Sequence, residues 1–246
     1  MKPLWALLAA LVLAEIAYPL TEGHARAALV VATVCLGYAM SVGHAGATRG
    51  ARTAVALVLV TTGGGFLVEA AGRASGYPFG DYDYTGALGP RLLGVPLVIP
   101  LAWTWMAWPA WLAAGRLVAR TGARIAVAGA GLAAWDLFLD PQMVSQRYWL
   151  WHTDSAALPG VPGIPLTNYL GWLAVAVALM ALLRLAIGVD PARPGADAPM
   201  YAMYLWTYTS SILAHAVFLG LPASAAWGAA GMGLVAIPLA VRLWRS

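Results

Sequence analysis

The segment WDLFLDP, residues 135–141, closes an apolar run, IAVAGAGLAA, that contains no polar side chain. Asp136 and Asp140 are four residues apart, which on a helix puts their Cβ atoms about 5–6 Å from each other on one face. Two carboxyls this close in a poor dielectric do not both ionise readily, so one is expected to keep its proton. A carboxylic acid held neutral near neutral pH is a proton donor. Glu69 is a third acid inside an apolar stretch, and Glu15, Asn168 and His215 lie within or at the edge of others. An acid at mid-depth in a bilayer costs about 2.5–3.5 kcal/mol on insertion scales, which makes each one a site candidate by default. The competing reading is structural: such acids also pair with arginines or cap backbone groups, and Asp140 could accept from loop tyrosines.

The elements that must position these groups follow from composition. Of 246 residues, 61% are hydrophobic and only 10% are charged, where a soluble domain carries about 25% charged residues. The expected class is therefore all-α: a polytopic transmembrane helical bundle forming one domain over residues 1–246. About eight segments approach the roughly 20 apolar residues that a span needs, at 3–20, 27–45, 53–71, 95–118, 125–141, 168–188, 200–220 and 222–243. The first begins like a signal peptide, but Glu15 interrupts it and no small-x-small cleavage site follows, so it reads as an uncleaved span. The period-2 alternation of a membrane β-barrel is missing.

Arginines set the expected orientation. With the N-terminus inside, ten of the 14 positive residues fall on inner segments, so both termini are expected in the cytoplasm of a multi-pass protein of the cell (inner or plasma) membrane. The net charge of +4 then calls for the lipid bilayer as partner and no nucleic acid. A single cysteine, Cys35, leaves no internal disulfide and no CxxC site. Counted from the inner helix ends, Asp136 lies roughly 18 Å beyond Arg124 and Glu69 roughly 25 Å beyond Arg52. Glu15, Asp140, Asn168 and His215 are expected at similar depth, forming a buried polar pocket in the outer half.

Two long outer connections, about 72–94 and 142–167, are rich in Gly, Pro, Tyr and Trp, a composition more typical of functional loops than of connectors. An interfacial aromatic belt accounts for Trp108, Trp111, Trp227 and Trp244. It accounts less well for the YDY cluster, with Tyr82 and Tyr84, and for YWLW, with Trp149 and Trp151, so these are expected to wall the pocket. Asp81 and Asp83 read as ordinary solvated loop acids. GAGLAA at 129–134 fits a dinucleotide-binding pattern but lies inside a span, where small residues serve helix packing. The four histidines form no HxxH or HxxxH cluster, and no Walker, GxSxG or HExxH motif occurs. No metal ligand set and no cofactor are expected, and the chemistry would run on carboxylates, tyrosines and water.

Four stretches together carry a family resemblance: EAAGRASGYPFGDYDYT from Glu69, GPRLLGVPLVIPLAW at 89–103, WDLFLDPQMV at 135–144, and YWLWHT followed by GIPLTNYLGW within 148–172. In order and spacing they resemble the integral-membrane carotenoid hydratases, the carotenoid biosynthesis proteins that include bisanhydrobacterioruberin hydratases and γ-carotene 1',2'-hydratase. The resemblance implies addition of water across the terminal C1–C2 double bond of an acyclic ψ end group, by acid protonation and capture of a tertiary carbocation. The implied partners are an acyclic carotenoid of the lycopene, γ-carotene or C50 bisanhydrobacterioruberin type, water, and other enzymes of carotenoid biosynthesis. Asp136, Asp140 and Glu69 are then the catalytic candidates, and Tyr82, Tyr84, Trp103, Trp135, Trp149, Trp151, Asn168 and Trp172 the substrate-binding ones. Three rivals stay open: a proton-coupled or lipid transporter, a redox-neutral carotenoid cyclase, and a carotenoid-binding structural protein.

Overall fold

The computed structural model describes residues 2–152 and 155–245, so Thr153 of the YWLWHT motif and Asp154 in the second long loop lie outside the described residues. The described chain is a bundle of long helices with three small two-stranded sheets in its connections. We number the helical segments α1 (Lys2–Leu20), α2 (Gly23–Arg49), α3 (Ala51–Ser75), α4 (Ile99–Leu117), α5 (Thr121–Ser145), α6 (Leu166–Ile187), α7 (Pro194–Leu213) and α8 (Pro222–Trp244). A π-turn, Ala214–Phe218, extends α7. Six of these, all but α4 and α7, are long and apolar enough to cross a membrane by length and composition. The other two carry more aromatic and polar residues. In α4, 14 of 19 residues are buried, among them Trp103, Trp105, Trp108 and Trp111.

Small residues let these helices approach. A Cβ on Gly129 would meet Val177 of α6 at 2.6 Å, and one on Gly65 would meet the Trp103 ring at 2.8 Å. GAGLAA is thus a packing surface, as expected of small residues inside a span.

The fifth helix departs from the expected continuous run over 125–141. It breaks at Ala134–Trp135 and restarts at Asp136, with tightened bonds from Trp135 N–H to the Leu132 carbonyl and from Phe138 N–H to the Trp135 carbonyl. It then continues through Pro141 to Ser145. Pro141 has no N–H to give the Leu137 carbonyl one turn back. Ser224 of α8 supplies the missing donor, at 2.7 Å.

The two ends of the bundle differ. One end gathers Arg49, Arg124 and the 188–193 connection and is here the arginine end. The other carries the long connections, 76–98 and 146–165: the first lies four residues later than the sequence patterns indicate because α3 runs on by a turn and α4 starts only at Ile99, and the second is shorter than indicated because α5 runs on by a turn. There β1 (Tyr82–Tyr84) pairs antiparallel with β4 (Trp149–Trp151), with Tyr82 opposite Trp151 and Tyr84 opposite Trp149. Alternate residues of a strand share a face, so these four rings point one way, while Asp83 and Leu150 point to the exposed side. The remaining sheets are β2 (Arg91–Leu92) with β3 (Val95–Pro96), and β5 (Ala157–Leu158) with β6 (Val161–Pro165).

Candidate active site

Under the β1–β4 ribbon lies a small cavity with about 40 Å³ of free volume, edged by Glu69, Asp140, Asn168, Trp103, Trp172 and Phe79 as well as the ribbon's four rings. The restart of α5 places Asp136 in the first turn of its second segment and Asp140 one turn on. Both are buried, and the Asn168 side chain at the start of α6 faces them. Its amide nitrogen donates to Asp136 Oδ2 at 2.9 Å and also to Asp140 Oδ2. Trp149 donates its indole N–H to Asp140 Oδ1 at 3.1 Å. Asp136 Oδ1 is buried and has no hydrogen-bond partner among the described residues. Asp136 does not itself edge the cavity; it stands behind Asp140 and Asn168.

Glu69 projects from α3 into the same space with three neutral donors aimed at it. Tyr82 and Tyr84 hydroxyls donate to Oε2 at 2.6 and 2.8 Å, and the Trp103 indole donates to Oε1 at 3.1 Å. Burial, reinforced by the Glu69 charge, pushes both loop phenols above their ordinary range, so they stay protonated as donors. The tyrosines therefore serve Glu69, and the indole of Trp149 takes the place beside Asp140 that a loop tyrosine was one candidate to fill.

The apolar walls are aromatic. Trp103 and Trp172 stack face to face at 3.9 Å and 10°, and Phe79 sits 6.4 Å from each. Phe79 is seated by glycines: a Cβ on Gly72 would come within 2.9 Å of its ring, and one on Gly171 within 3.1 Å. The Trp151 indole closes the corner by donating to the Phe79 carbonyl at 2.8 Å. Phe79 was not among the residues singled out above, although the GYPFG motif contains it. Its signal was the turn glycines around a lone buried-type side chain.

Of the six polar groups expected at one depth, the structure brings together Glu69, Asp136, Asp140 and Asn168. It places two elsewhere. Glu15 accepts from the Trp206 indole at 2.5 Å, beside a different cavity. His215 lies between Ser224 Oγ (2.8 Å) and Gln142 Oε1 (3.1 Å), where it buttresses the serine that repairs the Pro141 gap. Trp135 edges that other cavity too, tilted against Trp105 at 5.2 Å. Asp83 is an exposed loop acid, paired with Arg73 and His152 at 3.3 Å each.

A second acid cluster, unremarked in the sequence patterns, sits at the arginine end. Arg49 Nε donates to Asp190 Oδ1 at 3.0 Å, and its other nitrogens reach both oxygens of Asp197. Arg124 reaches Asp190 Oδ2 at 3.0 Å while lying 3.9 Å over the Trp111 ring. Trp111 donates to Asp190, and Trp108 donates to His44 Nδ1 at 2.9 Å, which leaves His44 Nε2–H for the Ala196 carbonyl. Trp108 and Trp111 are fully buried, so they belong to this network and not to an interfacial belt. Trp244, 91% exposed, and Trp227 keep the peripheral positions expected of belt residues.

The geometry is that of a buried acid pocket with neutral donors and aromatic walls. A bisanhydrobacterioruberin hydratase of Haloarcula japonica is 34% identical over 124 residues, 48% of this chain and 39% of that protein. The match thus spans about two-fifths of the relative's length. No solved structure matches the chain. The model of the family described as carotenoid biosynthesis protein matches residues 26–240, and the chain belongs to that family.

Proposed function

We propose that the protein is a hydratase that adds water across the terminal C1–C2 double bond of an acyclic carotenoid, making a tertiary alcohol. The observation that carries this reading is the division of labour among three buried carboxyls. Glu69 has three neutral donors pointed at it, the arrangement that suits a carboxylate acceptor. Asp136 and Asp140 share one amide between them. Among the described residues no cation is bonded to either, so like-charge repulsion in a buried site favours one proton held on the pair.

Hydration of a trisubstituted alkene begins with proton transfer to the less substituted carbon, C2, leaving a tertiary cation at C1. The Asp136–Asp140 pair supplies that proton, with Asp140 at the cavity edge as the immediate donor. The faces of Trp103, Trp172, Tyr82 and Trp151 stand where the cation would form, and aromatic faces attract cations. A volume of about 40 Å³ is enough for water, which needs roughly 10–15 Å³ of such space. Water adds to C1, and Glu69 orients it and takes its surplus proton. Return of that proton to the Asp pair, directly or through water, completes the cycle, so the balance is one alkene plus one water to one alcohol.

The excess of arginine at the arginine end supports placing that end in the cytoplasm and the pocket in the outer leaflet of the cell membrane. Expression in a host that accumulates lycopene tests the activity. Pigments heavier by one water per reacted end are expected. Isomers of unchanged mass would point to a cyclase, and unaltered lycopene would remove the enzymatic reading.

A further inference from the structure

The acid pocket has room for water, about 40 Å³, but is too small for a dimethylalkene end with its polyene, so a bound substrate must extend through one of its walls. Most of those walls are fixed. The β1–β4 ribbon is hydrogen-bonded to Glu69 and Asp140, and the Trp103–Trp172 stack closes another side. Beside the aliphatic lining from Leu88, Val98, Ile99 and Ala102, one wall consists of four aliphatic or thioether side chains: Val30 and Val34 of α2, and Leu139 and Met143 of α5. The same four residues edge the second cavity, of about 90 Å³, on their far side. Methionine is the most adaptable of apolar side chains, and this wall has space behind it to yield into.

The second cavity in turn meets a third. Glu15, Ser210 and Ala214 edge both it and an apolar groove of about 280 Å³ between α1 and α7. The groove is open to the outside of the bundle: Ile16, Leu20, Leu213 and Phe218 line it and are 47%, 68%, 56% and 52% exposed. All are carried by helical segments and not by the long loops, so the groove faces the level of the lipid. Its polar lining is Glu15, Trp206, Thr209 and Ser210, and the Glu15–Trp206 hydrogen bond joins α1 to α7 at the junction.

We propose that this chain of spaces is the binding path for the substrate's polyene, entering from lipid between α1 and α7, passing Ser210 and Ala214, and displacing Met143 to present its end group to Asp140. The occupant is a rod-shaped, mostly apolar molecule with a reactive end, which fits a line of spaces that opens in an exposed apolar groove, passes a middle cavity of mixed lining, and ends on an acid. The path gives Trp135 and Trp105 a place along the chain, 5.2 Å from each other on the wall of the middle cavity. This inference rests on the carotenoid substrate proposed above but does not need the hydration step.

The test fills the junction. Ala214→Leu and Ala214→Phe are made in the full chain, with Leu182→Phe on the 52% exposed face of α6 as control. Lycopene bound per monodisperse protein in detergent is read by absorbance, alongside hydration rate. Binding is expected to fall about tenfold or more for Ala214→Phe, to be intermediate for Ala214→Leu, and to match wild type for Leu182→Phe. Ser210→Phe repeats the block one turn earlier if Ala214→Phe does not yield monodisperse protein. Wild-type binding in the blocked variants, or no lycopene binding by the wild type, overturns the path. If the wild type binds lycopene but makes no alcohol, the hydratase proposal fails while the binding series still decides the path.

Discussion

The molecule buries two acid clusters at opposite ends of the same bundle and solvates them in opposite ways. At the arginine end, Asp190 and Asp197 face the guanidinium groups of Arg49 and Arg124, and the charges cancel. At the loop end, Glu69, Asp136 and Asp140 meet only hydroxyl, indole and amide donors. A carboxylate fixed by arginine is a clamp: its charge is satisfied and its proton is gone. A carboxyl pair served only by one neutral amide and one indole has no such anchor, and it can hold a proton and release it. The contrast separates a structural use of buried acid from a chemical one.

Substitutions can break that contrast. The largest effect expected is on chemistry: Asp140→Asn keeps the size and removes the acid, and turnover of an acyclic carotene should fall by about 10²–10⁴, with the protein still monodisperse. The mirror-image change, Asp197→Asn, leaves Arg49 under-paired in a buried site. It should cost about 3–5 kcal/mol of stability, read as a lower unfolding temperature in detergent, with turnover per folded molecule unchanged. If Asp197→Asn abolishes turnover in folded protein, the two clusters are not functionally distinct.

Smaller changes sharpen it. Tyr84→Phe deletes one of three donors to Glu69 and should lower turnover roughly tenfold, the equivalent of about 1.5 kcal/mol for a bond to a charged group, without altering expression. Ser224→Ala orphans the Leu137 carbonyl and should cost about 1 kcal/mol of stability. Because Leu137 lies next to Asp136, turnover in Ser224→Ala also reports how tightly the restart of α5 must be held. A change of less than about threefold is expected, on the order of a single lost neutral bond.

How much of this was legible in sequence depends on how local the cause is. The i, i+4 spacing of Asp136 and Asp140 and the apolar flanks of Glu69 are local, and they pointed to the acids that the structure brings together with Asn168. YDY and WLW are local too: each is a short period-2 alternation of ring, other, ring, and each forms a strand with its rings turned inward. The break at Ala134–Trp135 contains neither Gly nor Pro, so nothing in the sequence marks it. Pro141, which does carry a mark, is accommodated within the helix by a serine from α8. Partner choice was hidden as well. That the loop tyrosines reach Glu69 and not Asp140 follows from how the ribbon lies over α3, which is a tertiary fact. Trp108 and Trp111 misled because an indole serves equally at a lipid interface or as a buried donor. The clue lay in the acids of VDPARPGAD, residues 189–197, opposite the arginines of α2 and α5.

The central claim is that a carboxyl proton from the loop-end cluster is delivered to carbon. Incubation of purified protein with an acyclic carotene in D2O, followed by mass spectrometry after back-exchange of hydroxyl hydrogens, tests it most directly. The account predicts a product heavier by one water per reacted end and carrying one non-exchangeable deuterium there, with yield collapsing in Asp140→Asn. Product that forms without deuterium on carbon, or at wild-type rate in Asp136→Asn, Asp140→Asn and Glu69→Gln alike, would contradict it.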